Sequence, residues 1–185
     1  WRTESATGAV PIAAIFAGLV IAQWAVELRL ENPLAAPGPL AGNVPELPKA
    51  AFGSHLWLGA GLAALFGASG FLAQERTKSA TQSILWAVAA VVAPIAIMVA
   101  LYYRIALWER SIPFAGVAVA LAAIFAYMTE ALSKREAKPG SASAAAIFAT
   151  GSIISLALAL TFALEKGWLT VSFALMAAGI AYVER

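Results

Sequence analysis

An all-α integral membrane fold is what this 185-residue chain predicts, and three observations predict it. Six apolar runs, each close to bilayer length, fill nearly the whole sequence. Charged residues make up only 12% of the chain against 62% hydrophobic ones, whereas a soluble domain carries about 25% charge to build its polar shell. The runs are also continuous, not alternating as barrel strands would be over about ten residues. Without water in the bilayer core, backbone N–H and C=O groups must pair within their own segment, so continuous apolar runs have to be helices.

At about 1.5 Å per residue, crossing a core about 30 Å thick takes roughly 17–25 apolar residues. The spans fall at about 9–29, 55–74, 82–108, 112–132, 143–164 and 167–184. The first closes on Glu27 and Arg29, with Gln23 its deepest large polar group. A loop at 31–54 follows, where Pro33, Pro37, Pro39, Pro45 and Pro48 block regular helix. The second span opens at His55 and repeats Gly59, Ala63 and Gly67 every fourth residue, with Gly61 and Gly70 nearby. It ends at Gln74, Glu75 and Arg76. The third holds Pro94 at its centre, where a lost intrahelical hydrogen bond predicts a kink. The turn 108–111 is too short for anything but an antiparallel neighbour. The fourth span ends at Ser133, Lys134, Arg135 and Glu136, before Pro139 and Gly140. The fifth sets Gly151, Ser155, Ala159 and Ala163 at the same interval of four, and the turn 165–167 leads to the sixth.

Small residues at that interval let helix backbones approach closely, which is how membrane helices associate when lipid offers no competing hydrophobic drive. Gly59, Gly67, Gly151 and Ser155 are therefore read as helix-packing positions, with a sliding face in a transporter as the sharper alternative.

If the side of the first residue is side A, it collects Arg2, Arg76, Lys78, Lys134, Arg135, Lys138 and Arg185. Side B collects Arg29, Lys49, Arg104, Arg110 and Lys166. The excess of Lys and Arg puts side A, and both termini of this segment, in the cytoplasm, with the proline-rich loop outside. Tryptophan prefers the headgroup level, and none falls mid-membrane: Trp24, Trp57, Trp108 and Trp168 lie at side B, Trp1 and Trp86 at side A.

The chemistry-bearing candidates gather at side B. Glu27, Glu109 and Glu165 end the odd spans, and Gln23, His55 and Arg104 lie at a similar depth. They form either an outer polar layer with a titratable histidine or ordinary interfacial termini. No ionisable residue occupies a span centre, where proton-driven transporters place a carboxylate. No catalytic residue, metal site or cofactor is expected: one His and no Cys suit no zinc centre, and no phosphate loop or nucleophile motif occurs. The basic residues are scattered, so no nucleic acid is expected either. The partners expected are the lipid bilayer and the remaining helices of a longer protein.

The stretch 163–175, from Ala163 through Glu165, Lys166, Gly167, Trp168, Leu169, Thr170 and Val171 to Leu175, resembles a recurring segment of the DUF2339 family of predicted bacterial membrane proteins. The ending Ala181, Tyr182, Val183, Glu184, Arg185 fits the same pattern. The resemblance implies a long polytopic inner-membrane protein of which this chain is a piece, and it carries no catalytic or binding residues with it. The expected role is a non-enzymatic structural or interaction domain in the bacterial inner membrane, in the setting of envelope biogenesis. The alternatives are part of a transporter or flippase for a small molecule or lipid-linked substrate, and the membrane part of an enzyme acting on such a substrate.

Overall fold

The computed structural model describes residues 9–30, 49–106, 108–135 and 138–164, together with Ala174 and Ala177. These residues form five helices: α1 (Ala9–Leu30), α2 (Lys49–Ala73), α3 (Ala80–Ala106), α4 (Ile112–Ser133) and α5 (Ser141–Ala163). Over the described residues, α2 from His55 onward, α3, α4 and α5 are each long and apolar enough to cross a membrane. The sixth span expected at 167–184 lies outside the described residues, apart from Ala174 and Ala177, both helical.

Helix ends follow local chemistry. Helix α2 begins at Lys49, inside the segment expected to be loop at 31–54, because Pro48 is the last residue there that forbids an interior helical position. Pro94 does not break α3, which runs helical from Ala80 to Ala106 through it. Ser111 is extended ahead of α4, and Pro113 sits in the first turn, where its missing N–H costs nothing. The N–H of Ser111 donates to the Phe162 carbonyl at 2.8 Å, fixing the start of α4 beside the end of α5.

Helix α3 is the hub and touches each of the other four described helices. Helix α1 runs parallel to it: Ala14 packs with Ala89 and Ala93, Gly18 lies against Ala96, and Ile21 joins Ile97 and Leu101. Helix α2 runs antiparallel, with Gly70 against Trp86 and Ala90, Gly67 against Pro94, and Gly59 against Ile97 and Leu101. Phe148 and Ala144 of α5 meet Ala87 and Ala90, while Phe162 meets Tyr102, so α5 is parallel to α3, and α4 runs back the other way, packed chiefly on α5. The helices thus alternate in direction, as consecutive spans must.

The interior mixes small residues with a few large ones, and many other large apolar residues are exposed. Inside, Ala87, Ala90, Ala118 and Ala144 have no exposed surface to speak of, and Ile97, Phe125, Phe148 and Phe162 are buried among them. The exposed large apolar side chains are Ile12, Ile15, Phe16, Leu19 and Val20 on α1, Leu65 and Leu72 on α2, and Val117, Val119 and Ile124 on α4, among others. Close backbone approach through small residues, with bulky apolar groups turned to the surroundings, is the arrangement lipid favours.

Candidate functional site

Of the side-B residues singled out from sequence, the side chains of Gln23, His55, Arg104 and Glu109 are among the described residues. His55 and Arg104 are buried at the same end of the α2–α3 pair, flanking the contact of Gly59 with Leu101. Gln23 is exposed on α1. Glu109 is exposed in the α3–α4 turn, and its main-chain carbonyl accepts the Tyr102 hydroxyl at 2.8 Å. Glu27 lies on α1 with its side chain outside the described residues, as is the whole of Glu165.

What organises side B among the described residues is aromatic. Tyr102 meets Trp108, Phe114 and Phe162 at centroid distances of 5.6, 5.5 and 4.0 Å, and Tyr103 meets Trp108 at 5.3 Å. Trp108 holds a φ of 65°, a left-handed conformation costing about 1–3 kcal/mol in a residue other than glycine. Its two ring contacts, each worth about 0.5–1.5 kcal/mol, offset that cost. Trp57 and Trp108 are both exposed at this end.

The better-built polar site lies at side A, where sequence reading saw only charged helix ends. There the α2–α3 and α4–α5 turns meet over a pocket of about 450 Å³ lined by Gln74, Glu75, Thr77, Ser83, Leu132, Arg135, Lys138 and Ser141. Its floor is a buried pair. The Ser83 hydroxyl donates to Gln74 Oε1 at 2.6 Å, and Gln74 Nε2 donates to the carbonyls of Ser83 at 3.0 Å and Gly70 at 3.3 Å. The Gly70 carbonyl belongs to the last turn of α2, where helical acceptors run out of partners, so Gln74 acts as a side-chain cap. Both amide protons and the amide oxygen are engaged, which a buried amide needs.

Gly140 presses the second turn onto the first. Its φ is +83°, and a Cβ placed there would come within 2.7 Å of the Ala80 Cα and 2.9 Å of the Ala80 carbonyl. Glycine is required on both counts, by conformation and by space. At the rim, Arg135 meets Glu75 at 3.3 Å and lies 4.8 Å over the Phe71 ring. Lys138 Nζ donates to the Glu75 main-chain carbonyl at 2.8 Å. The signal that could have located this site is the pairing of two polar residues, Gln74 and Ser83, just inside facing span ends.

A Cβ on Gly59 would meet Leu101 Cδ1 at 2.7 Å, and one on Gly151 would meet Val91 Cγ1 at 2.6 Å. Gly67 has ordinary contacts, 3.7 Å to the Pro94 ring and 3.9 Å to the Ala90 carbonyl, the one that Pro94 leaves without its helical donor. The tightest contact is at Gly70, 2.5 Å from Ala90 Cβ and 2.6 Å from the Trp86 carbonyl. Ser155 is fully buried, and its hydroxyl has no hydrogen-bond partner among the described residues.

A family model described as Predicted membrane protein (DUF2339) matches residues 2–185. No curated protein and no solved structure matches the chain.

Proposed function

Because this chain belongs to the DUF2339 family of predicted membrane proteins, we propose that it is a non-enzymatic scaffold, a multi-pass bundle that packs against the rest of its own protein. It takes six spans, the sixth at 167–184, in the inner membrane of a bacterium, with side A in the cytoplasm. The Lys and Arg excess at side A supports that orientation: Arg76, Lys78, Lys134, Arg135 and Lys138 all lie in the two turns there.

The observation that carries the scaffold reading is the fit of α3 against α2 and α5. At Gly70 and Gly151 the interfaces leave no room for a single methyl group. Interiors packed to this density resist sliding, since any shift drives atoms into contact. A transporter needs the opposite, an interface with two arrangements and a water-filled path. The spans also carry no ionisable residue at their centres, which removes the usual means of coupling to protons.

Cysteine scanning tests this cleanly, because the chain has no native cysteine. Single cysteines at Ala87, Ala90 and Ile97 on α3 are expected to stay inert to a small water-soluble methanethiosulfonate in native membranes. Reaction at all three, two turns or more along one helix face, would reveal an aqueous path and overturn the scaffold in favour of transport.

A further inference from the structure

We propose that the side-A pocket binds a phosphate-ester anion. The proposal rests on the reading of side A as a membrane face at headgroup depth, and not on the scaffold role. The pocket volume of about 450 Å³ falls in the range of about 300–1,000 Å³ typical of small-ligand sites. Its walls set two cations, Arg135 and Lys138, against one carboxylate, Glu75.

Neither cation is used up by its contacts. Arg135 reaches the Glu75 carboxylate through one terminal nitrogen at 3.3 Å, while its plane rests on Phe71. A guanidinium carries five N–H donors in a rigid fork matched to phosphate oxygens, so most of the fork remains for another acceptor. Lys138 is held by a neutral carbonyl, at 2.8 Å, which leaves its charge uncancelled and two of its three protons available. Ser141 accepts the Lys138 main-chain N–H at 3.2 Å, and its own hydroxyl proton remains to donate into the pocket it lines.

A fork, an ammonium and a hydroxyl lining one pocket offer donors for several oxygens of one anion, which suits phosphate better than a flat carboxylate. Basic pockets between membrane helices on the cytoplasmic side are where lipid phosphates dock. Leu65 and Leu72, both exposed and seven residues apart on one face of α2, form an apolar track that ends two residues before Gln74 in the pocket lining. A free phosphate ester shares the headgroup chemistry and lacks only the use for that track.

The test is thermal unfolding of the full chain in neutral detergent. It is titrated separately with dioctanoyl phosphatidylglycerol, dioctanoyl phosphatidylcholine and sodium phosphate. Phosphatidylglycerol is expected to raise the unfolding midpoint well beyond phosphatidylcholine. Lys138→Gln should weaken that binding by about tenfold, the equivalent of one charge-assisted hydrogen bond. Lys138→Arg should keep it, as should Lys134→Gln, which removes the same charge outside the pocket. If Lys138→Gln proves too unstable without ligand, Ser141→Ala carries the same comparison. A response to sodium phosphate equal to that of the lipid assigns the free anion; a preference for the lipid assigns the headgroup. Equal loss in Lys134→Gln and Lys138→Gln means diffuse attraction and overturns the site, as does no response to either anion. The α3 cysteine pattern reads the scaffold role separately, so the two can fail independently.

Discussion

Ser83 and Gln74 close the α2–α3 turn from the inside, the Ser83 hydroxyl donating to Gln74 Oε1 at 2.6 Å with both side chains buried. The bond matters because each partner is costly to leave alone. A buried donor or acceptor without a partner costs about 1–3 kcal/mol. Ser83→Ala should therefore destabilise the protein by about that amount, and Gln74→Leu by at least as much, since three hydrogen bonds go with it. The double variant should cost less than the sum, with a coupling of about 0.5–3 kcal/mol. Unfolding midpoints of the four proteins in detergent check this, and strict additivity would show that the pair is not coupled.

Glycines that look alike in sequence should respond differently to alanine. Gly61 and Gly116 have nothing within 4 Å of an added Cβ, so alanine there should stabilise by about 0.5–1 kcal/mol through lower backbone entropy. Gly67 should tolerate it. Gly151→Ala collides with a Val91 methyl and should cost about 1–3 kcal/mol. Gly70→Ala should be worst of these, because the Trp86 carbonyl it meets is backbone and cannot swing away. The ranking of thermal midpoints is the measurement, and a Gly70→Ala protein as stable as the Gly61→Ala one would refute the α2–α3 register.

Gly140→Ala carries two penalties. The left-handed φ alone costs a residue with a Cβ about 1–2 kcal/mol, and the contact with the Ala80 backbone comes on top. The expected result is a loss larger than for Ser83→Ala, together with faster proteolysis in the α2–α3 and α4–α5 turns that Gly140 holds together.

The parallel packing of α1 on α3 predicts a cross-link. A Cβ at Gly18 would lie 3.9 Å from Ala96 Cβ, inside the range of about 3.5–4.5 Å that disulfides need. Gly18→Cys with Ala96→Cys should oxidise readily. A protease site inserted within 31–48 should then yield fragments that stay joined until reduced. Gly18→Cys with Val88→Cys, more than two turns away, should not link.

Orientation has its own check. Lys138→Cys should react with a membrane-impermeant maleimide only after cells are opened, and Arg110→Cys in intact cells. The reverse pattern would invert the topology.

The sequence reading and the structure agree where the bilayer alone dictates the answer. Continuous apolar runs have no option but helix, so α3, α4 and α5 appear within a few residues of the spans expected at 82–108, 112–132 and 143–164. Gly151 and Ser155, four residues apart, are both buried on α5, since helical periodicity fixes which residues share a side. Other points were not legible. Gly70 outranks Gly59 and Gly67 only because of how α3 lies on α2, which is a tertiary fact. Gln74 and Ser83 read as polar punctuation at two span ends until the turn folds them onto each other. The side-A pocket needs a further step, since Arg135 and Lys138 reach it from a turn more than fifty residues away. The side-B candidates were chosen for shared depth, and depth does not fix burial: Gln23 is exposed and His55 is buried.

The hub position of α3 makes its length unusually rigid as a matter of inheritance. A single residue inserted near its middle would rotate everything beyond by about 100°. Ile97, Leu101 and Tyr102 would then leave their partners on α1, α2, α4 and α5 together, and outward positions such as Val88 and Val92 would no longer line up with those that follow. Substitutions on the outer face of α1 change one boundary at a time, whereas an insertion or deletion in α3 unseats four. Length variation between related chains should therefore collect in the connecting segments and leave α3 at 27 residues.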